Sequence, residues 1–277
     1  MKGISRWGLA TLVVLILLAE AVVAQRGGRF RHRDTGNGAV DRGDLPLWNN
    51  DPRFPGDVFT FVRVRYSSYG DWRWGKWATD YPDSDLNFSF RLQQLTSLKV
   101  DPHGKILELT DPALRDYPFL YLIEPGSMVL EEQEVAALRG YLLNGGFLMV
   151  DDFWGEQEWS NFYRELRRVF PDREPRELPL DHEVFHCVYD LKKKPQVPSI
   201  HSNWRNGQTN DGRWDAAEPH YLGLFDDRER MMAIICHNTD LGDGWEREAE
   251  DGEYFRQFSE RWSYPLGINI VTYAMTH

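Results

Sequence analysis

Cysteine is scarce in this chain of 277 residues, which holds only Cys187 and Cys236. Two cysteines exclude a disulfide-stapled mini-fold and a four-cysteine zinc site, and leave room for one bridge at most. Whether the two meet is not decided by the 48 residues between them. Positive charge is short as well: 32 Lys and Arg stand against 43 Asp and Glu, a formal net charge of −11. A surface that neutralises phosphates, the basis of non-specific nucleic-acid binding, is therefore not expected, and nucleic acid is not an expected partner. The chain has no Gly-x-Ser-x-Gly or Gly-x-Cys-x-Gly elbow, no Gly-x-x-x-x-Gly-Lys-Ser/Thr loop, and no Gly-x-Gly-x-x-Gly turn after its first predicted strand. Those absences weigh against elbow-type hydrolases and the common nucleotide and dinucleotide enzymes. Internal repeats and low-complexity tracts are missing too. What is there in quantity is aromatic: 15 Phe, 12 Tyr and 11 Trp.

Long apolar runs are also rare, and the one at the N-terminus is informative. Lys2 and Arg6 precede an apolar stretch from Leu9 to Leu18, and Val22-Val23-Ala24 precede Gln25. That order of charged, apolar and small residues is the layout of a secretory signal peptide cleaved after Ala24. The alternative, an uncleaved anchor, needs ~20 apolar residues, and Glu20 interrupts the run early. The reading is thus an exported protein, periplasmic or extracellular, that meets the membrane only transiently through residues 1–24. The compartment is oxidising, so Cys187 and Cys236 could pair if the fold brings them together. Residues 25–57 read as a flexible basic leader carrying Arg26, Arg29, Arg31 and Arg33, and residues 58–277 as one domain.

Within that domain Val58 to Arg65 reads as a strand, followed by a loop with Trp72, Trp74 and Trp77. Asp85 is expected to cap a helix bearing Leu86, Phe90, Leu92 and Leu95. Lys105 to Leu109, Phe119 to Ile123 and Phe147 to Val150 are predicted strands. Leu130 to Leu143 is a helix with Glu131, Glu132 and Glu134 in its first turn and Gly145-Gly146 at its end. Trp159 to Phe170 is another helix, Tyr221 to Phe225 and Met231 to Cys236 are strands, and Phe255 to Trp262 and Leu266 to Met275 are the last helices. Short apolar strands alternating with helices imply an α/β sandwich with a mainly parallel sheet covered on both faces.

In such a sheet ligands sit beyond the carboxyl ends of the strands. That rule gathers Tyr66 and Ser67, Glu124, Asp151 with Asp152, and His237, Asn238 with Asp240 into one expected cleft, although Asp and Asn also cap helices at such turns. Two adjacent acids after a wholly apolar strand exceed what one cap requires. His182-Glu183-Val184-Phe185-His186 matches the zinc-protease string His-Glu-x-x-His, whose chemistry requires a helix. Pro179 before it and β-branched or aromatic Val184, Phe185, Val188 and Tyr189 oppose one. On a strand His182 and His186 would still share a side, leaving a looser metal or proton-transfer role. Asn238 to Glu246 collects oxygen ligands and glycines without the spacing of a calcium-binding EF-hand, and reads better as an acidic turn. Cys236 beside His237 reads as a buried small hydrophobe rather than a thiolate.

Several segments together resemble the bacterial DUF4159 family: Phe61-Val62-Arg63-Val64-Arg65-Tyr66; Trp77-Ala78-Thr79-Asp80-Tyr81-Pro82 with Asp85 and Asn87; Gly145 to Asp152; Asp181-His182 with Phe185-His186; and Leu266-Gly267-Ile268-Asn269. That family is grouped with the class I glutamine amidotransferase-like fold, so the resemblance implies a flavodoxin-like sandwich with elaborated loops. Amidotransferases of the fold carry a nucleophilic Cys on a Gly-flanked turn after a central strand; the comparable turn here is Asp152-Phe153-Trp154-Gly155. Amidotransferase activity is not expected, because a carboxylate cannot form the thioester. Relatives often have Pro at Glu183, which implies that the zinc-protease match is accidental. An association of trehalose-utilisation-like proteins with sugars is fold analogy only.

The functional expectation is a non-catalytic binding module for a polar small molecule, such as a saccharide, or for an envelope component. Its ligand-binding residues are expected to be Tyr66, Trp77, Asp80, Glu124, Asn238 and Asp240, with Trp72, Trp74, Trp77, Trp154, Trp159 and Trp245 around the mouth. One alternative is a hydrolase using Asp151, Asp152, His182 and His186, with or without a divalent metal; the other is an envelope scaffold. No cofactor and no oligomeric state follow from the sequence.

Overall fold

The structure is a computed structural model and describes residues 42–69 and 75–277. The expected signal peptide, the four leader arginines, Trp72 and Trp74 lie outside the described residues. The chain forms strands β1 (Val58–Phe59), β2 (Val62–Arg65), β3 (Ser67–Ser68), β4 (Lys99–Val100), β5 (Lys105–Glu108), β6 (Phe119–Ile123), β7 (Met128–Val129), β8 (Phe147–Asp151), β9 (Arg176–Glu177), β10 (His220–Phe225) and β11 (Met231–His237). The helices are α1 (Asp83–Leu95), α2 (Glu132–Leu143), α3 (Gly155–Val169), α4 (Leu241–Glu246), α5 (Gly252–Tyr254) and α6 (Tyr264–Thr276), with a π-helical stretch Phe255–Ser263 joining the last two.

Seven strands make the central sheet in the order β5-β2-β6-β8-β11-β10-β9. The first five are parallel, and β10 and β9 add antiparallel at one edge. Numbered along the chain, the parallel strands run 2-1-3-4-5, the flavodoxin-like order, whose topological switch point lies between β2 and β6. Every residue of β6, β8 and β11 is buried, because helices cover both faces. Side chains alternate between the layers: Phe119, Tyr121 and Ile123 face one core with α1, α4 and α6, while Leu120 and Leu122 face the other with α2 and α3. Among the described residues no helix is long and apolar enough to cross a membrane.

The sequence expectations meet three corrections. The first expected strand is interrupted: Val58–Phe59 pairs with Lys99–Val100 in a separate two-stranded ribbon, and only β2 joins the sheet. The end of the expected leader is tied to the domain rather than loose, since Trp48 Nε1 and Asn50 Nδ2 both donate to Val100 O, at 2.6 and 2.9 Å. Asp85 is not a cap: it sits inside the first turn of α1 and faces the core, where it meets Arg63. Helix α2, by contrast, starts as its acids suggest, with Glu131 and Glu134 forming a reciprocal capping box.

Arg63 points from β2 into the same layer as Phe61 and is fully buried. Its Nε donates to both Asp85 oxygens at 3.1 and 3.0 Å, Nη2 to Asp85 Oδ1 at 2.5 Å and Ser84 Oγ at 2.8 Å, and Nη1 to the carbonyls of Trp77 and Thr79 at 2.9 Å each. All of its N–H directions are thereby used. Burial alone would pull the guanidinium down, but Asp85 outweighs it and holds Arg63 above the ordinary range. The two carbonyl contacts fix the turn immediately before Asp80, which is how the core reaches the site described next.

Candidate functional site

Beyond the carboxyl ends of the strands lies a cavity of about 600 Å³ whose lining includes Asp80, Glu124, Asp152, Glu158, Asp240 and Asp243. Asp80, Glu124, Asp152 and Asp240 come from four different turns. Glu124 follows β6, Asp152 follows β8, and Asp240 follows β11 and caps α4, its Oδ1 accepting from Asp243 N–H at 2.7 Å. Asp80 is delivered by the turn that Arg63 holds. Asp80, Glu124, Asp152 and Asn238 all adopt positive φ, between 47° and 62°, a region that side-chain-bearing residues enter at a cost of roughly 1–3 kcal/mol each. Tyr66 steadies Glu124 from below: its buried hydroxyl is shared between the carbonyls of Ile123 and Glu124, 2.7 Å from each.

The electrostatics are dominated by burial without compensation. One oxygen each from Asp80, Asp152 and Asp240 lie within 4.8 Å of one another, and a second group, Asp80 with Asp243 and Glu246, meets the same limit. Burial first, and neighbouring carboxylates second, push Asp80, Asp152 and Asp240 well above the usual carboxylate range. Asp151, directly beneath, is raised by burial to about 7 although Gly242 N–H and the Tyr121 hydroxyl both donate to its Oδ2 at 3.0 Å. Burial likewise raises Glu246 to about 7. Glycine is required at 242, because a Cβ there would come within 2.7 Å of both Asp80 Oδ2 and the Tyr121 hydroxyl.

Three basic side chains of the lining form ion pairs with acids other than Asp80, Asp152 and Asp240. Lys76 pairs with Glu124, pulling back the rise that burial gives it. Arg213 Nη2 lies 2.7 Å from Glu158 Oε1. Arg247 Nε lies 3.2 Å from Asp243 Oδ1 and 2.6 Å from Glu246 Oε2.

Of the residues expected from the sequence, Asp80, Glu124, Asp152 and Asp240 line the cavity together, and Asp151 lies under it. Tyr66, Trp77 and Asn238 do not line it. Trp77 offers its carbonyl to Arg63. Asn238 spends its side chain on Gly155 N–H at 2.8 Å and Glu218 O at 3.0 Å, locking two loops.

The histidines lie elsewhere. His182-Glu183-Val184-Phe185-His186 is a 3₁₀ turn, not an α-helix. His186 uses both ring nitrogens, on Asp190 Oδ1 and Leu180 O at 2.8 and 2.7 Å. His182 packs 5.6 Å from the ring of Tyr273, itself 6.4 Å from Phe147. Phe147 begins β8, roughly 13 Å along the strand from Asp151 at its other end. The structure therefore does not bring Asp151 and Asp152 together with His182 and His186. Cys236 is fully buried with its thiol pushed well up, and Cys187 and Cys236 are both free.

The aromatic rim is thinner than expected. Trp154 lines the cavity and donates its indole N–H to Asp152 Oδ1 at 3.0 Å. Trp159 is half-buried against Phe153 and Phe162. Trp245 is core, fully buried against Phe88 and Tyr121. The sequence reading missed Trp214, which is 90% exposed and sits between Arg213 of the cavity lining and Asp215. Asp243 and Glu246 lay in the segment read as an acidic turn, which is instead the helix capped by Asp240, and their spacing three apart was the signal that they share a face.

A family model described as a domain of unknown function, DUF4159, matches residues 60–275. No curated protein matches the chain.

Proposed function

Because the chain belongs to the DUF4159 family, whose description names no activity, we propose its function from the cavity: it is a binding module for a polar, hydroxyl-rich ligand such as a saccharide. The observation that carries this reading is the convergence of Asp80, Asp152 and Asp240 in a cavity at the carboxyl edge of a parallel sheet, where such folds bind ligands. A volume of about 600 Å³ suits a small polar molecule. Carboxyl oxygens accept hydrogen bonds in either protonation state, and sugar hydroxyls are the matching donors. Trp214 supports the reading with an exposed indole face beside the lining, a surface on which a sugar ring stacks. The N-terminal layout of charged, apolar and small residues supports an exported protein that meets envelope saccharides.

The test is a titration of intrinsic tryptophan fluorescence with soluble oligosaccharides of differing composition. Saturable quenching is expected, weakened about tenfold or more in Trp214→Ala. A flat response to every sugar at millimolar concentration removes the reading. A second reading, hydrolysis in the same cavity, is favoured by the three carboxylates within reach of one ion, since a bound cation lowers the pKa of its water. Product release from the same sugars, lost in Asp152→Asn, would establish it in place of simple binding.

A further inference from the structure

We propose that Asp80, Asp152 and Asp240 jointly ligate one hard divalent cation of the calcium or magnesium class. This rests on reading the cavity as the ligand site, and it names the ion through which a polar ligand is held there. The geometry fits. Calcium–oxygen bonds of about 2.4 Å put oxygens on opposite sides of one ion ~4.8 Å apart, and the three side chains fall within that span before any adjustment.

The second line of support is unused acceptor capacity. Asp152 is 7% exposed and Asp240 5%, and both line the cavity. Each has one oxygen engaged, Asp152 Oδ1 by Trp154 and Asp240 Oδ1 by Asp243 N–H, while no donor among the described residues reaches the other. Asp80 Oδ2 is wholly enclosed and meets no N–H donor among the described residues, the Asp80 carboxyl group having only that of Glu246 beside it. A buried carboxylate oxygen without a donor carries a large desolvation cost, which an ion removes.

The overlapping group, Asp80 with Asp243 and Glu246, is the poorer cage. Asp243 already accepts from Ile200 N–H and Arg247, and Glu246 is paired with Arg247. The all-carboxylate donor set, with neither His nor Cys, selects calcium or magnesium over zinc or copper. Calcium takes six to eight oxygens, so three aspartates leave positions facing the cavity for water or ligand hydroxyls.

Calorimetric titration of the chelator-treated chain with calcium and with magnesium tests this. A saturable isotherm near one ion per chain is expected for at least one of them. Asp152→Asn and Asp240→Asn should each weaken it about tenfold or more, while Glu132→Gln on the remote helix α2 leaves it unchanged. Terbium provides a second readout on the unaltered chain: Trp154, in contact with Asp152, should sensitise its emission, and calcium should quench it. No saturable heat with either ion, no sensitised emission, or aspartate variants that are folded and bind like wild type would each overturn the proposal. Repeating the oligosaccharide titration in chelator separates the two readings. Sugar affinity unchanged without the ion overturns the ion's role and leaves the cavity reading standing. Ion binding lost in the variants, with no sugar response, upholds the ion and removes the saccharide.

Discussion

Arg63 and Asp85 lie inside the protein as a matched pair, 0% and 3% exposed, whereas Asp80, Asp152 and Asp240 gather as neighbouring acids at the carboxyl edge of the sheet. Both assemblies carry the cost of taking ions out of water. In the first, a fixed guanidinium repays it with bonds to a carboxylate, a hydroxyl and two backbone carbonyls. In the second, no cationic side chain among the described residues forms an ion pair with the three aspartates, and burial displaces their protonation equilibria upward. The difference separates a structural use of buried charge from one that awaits something from outside. The two are also linked, because Arg63 fixes the carbonyls of Trp77 and Thr79 and so presents Asp80.

The comparison breaks most sharply at Arg63. Arg63→Met leaves the buried Asp85 with no cationic partner, only the Ser84 hydroxyl that donates to its Oδ1 at 3.0 Å, and should cost about 3–5 kcal/mol in urea-induced unfolding. Adding Asp85→Leu should recover part of it, and a single variant as stable as wild type would refute the structural role.

A third kind of buried group, a base kept neutral, sharpens the contrast. His237 is depressed to about 4, chiefly by burial, with its Nε2 3.2 Å from Gly155 O. Between about pH 6.5 and 4 the unfolded chain binds this proton and the folded one does not, so the contribution of His237 to stability is lost as the pH falls through that window. Relative to His237→Gln, the wild type should lose about 2–3 kcal/mol from pH 7 to pH 4; parallel stability curves for the two would remove the assignment.

The smallest effect has the opposite sign from Arg63. In chelator at pH 7.5, Asp152→Asn relieves like-charge repulsion and should stabilise by about 1 kcal/mol. A loss of stability on thermal unfolding would mean that Asp152 is structural.

Strand positions were legible because burial on two faces writes a local pattern: Phe119–Ile123 and Phe147–Asp151 are wholly apolar up to their terminal acids, and the acids mark where the strands stop. Glu124, Asp152 and Asp240 could therefore be placed on one edge from their neighbours alone. The partner of Asp85 could not be found this way, since a first-turn acid looks the same whether it caps a helix or meets an arginine 22 residues back. His182 and His186 misled for the same reason: four-residue spacing puts two side chains on one face of a regular helix or strand, and here the backbone is a 3₁₀ turn. Trp245 shows the limit for aromatics, since a Trp after a strand reads equally as rim or as core.

The sequence by itself determined where the longer strands of the central sheet lie, which ends carry carboxylates, and that the chain belongs with an α/β sandwich, because these follow from backbone preference and the period of burial, both local properties. Only the tertiary structure decided which acids share a cavity. That depends on the strand order 2-1-3-4-5 and on the crossovers that bring β6, β8 and β11 side by side. It depends equally on Arg63 presenting Asp80 from outside the row of strand ends, a contact between elements that no local pattern records.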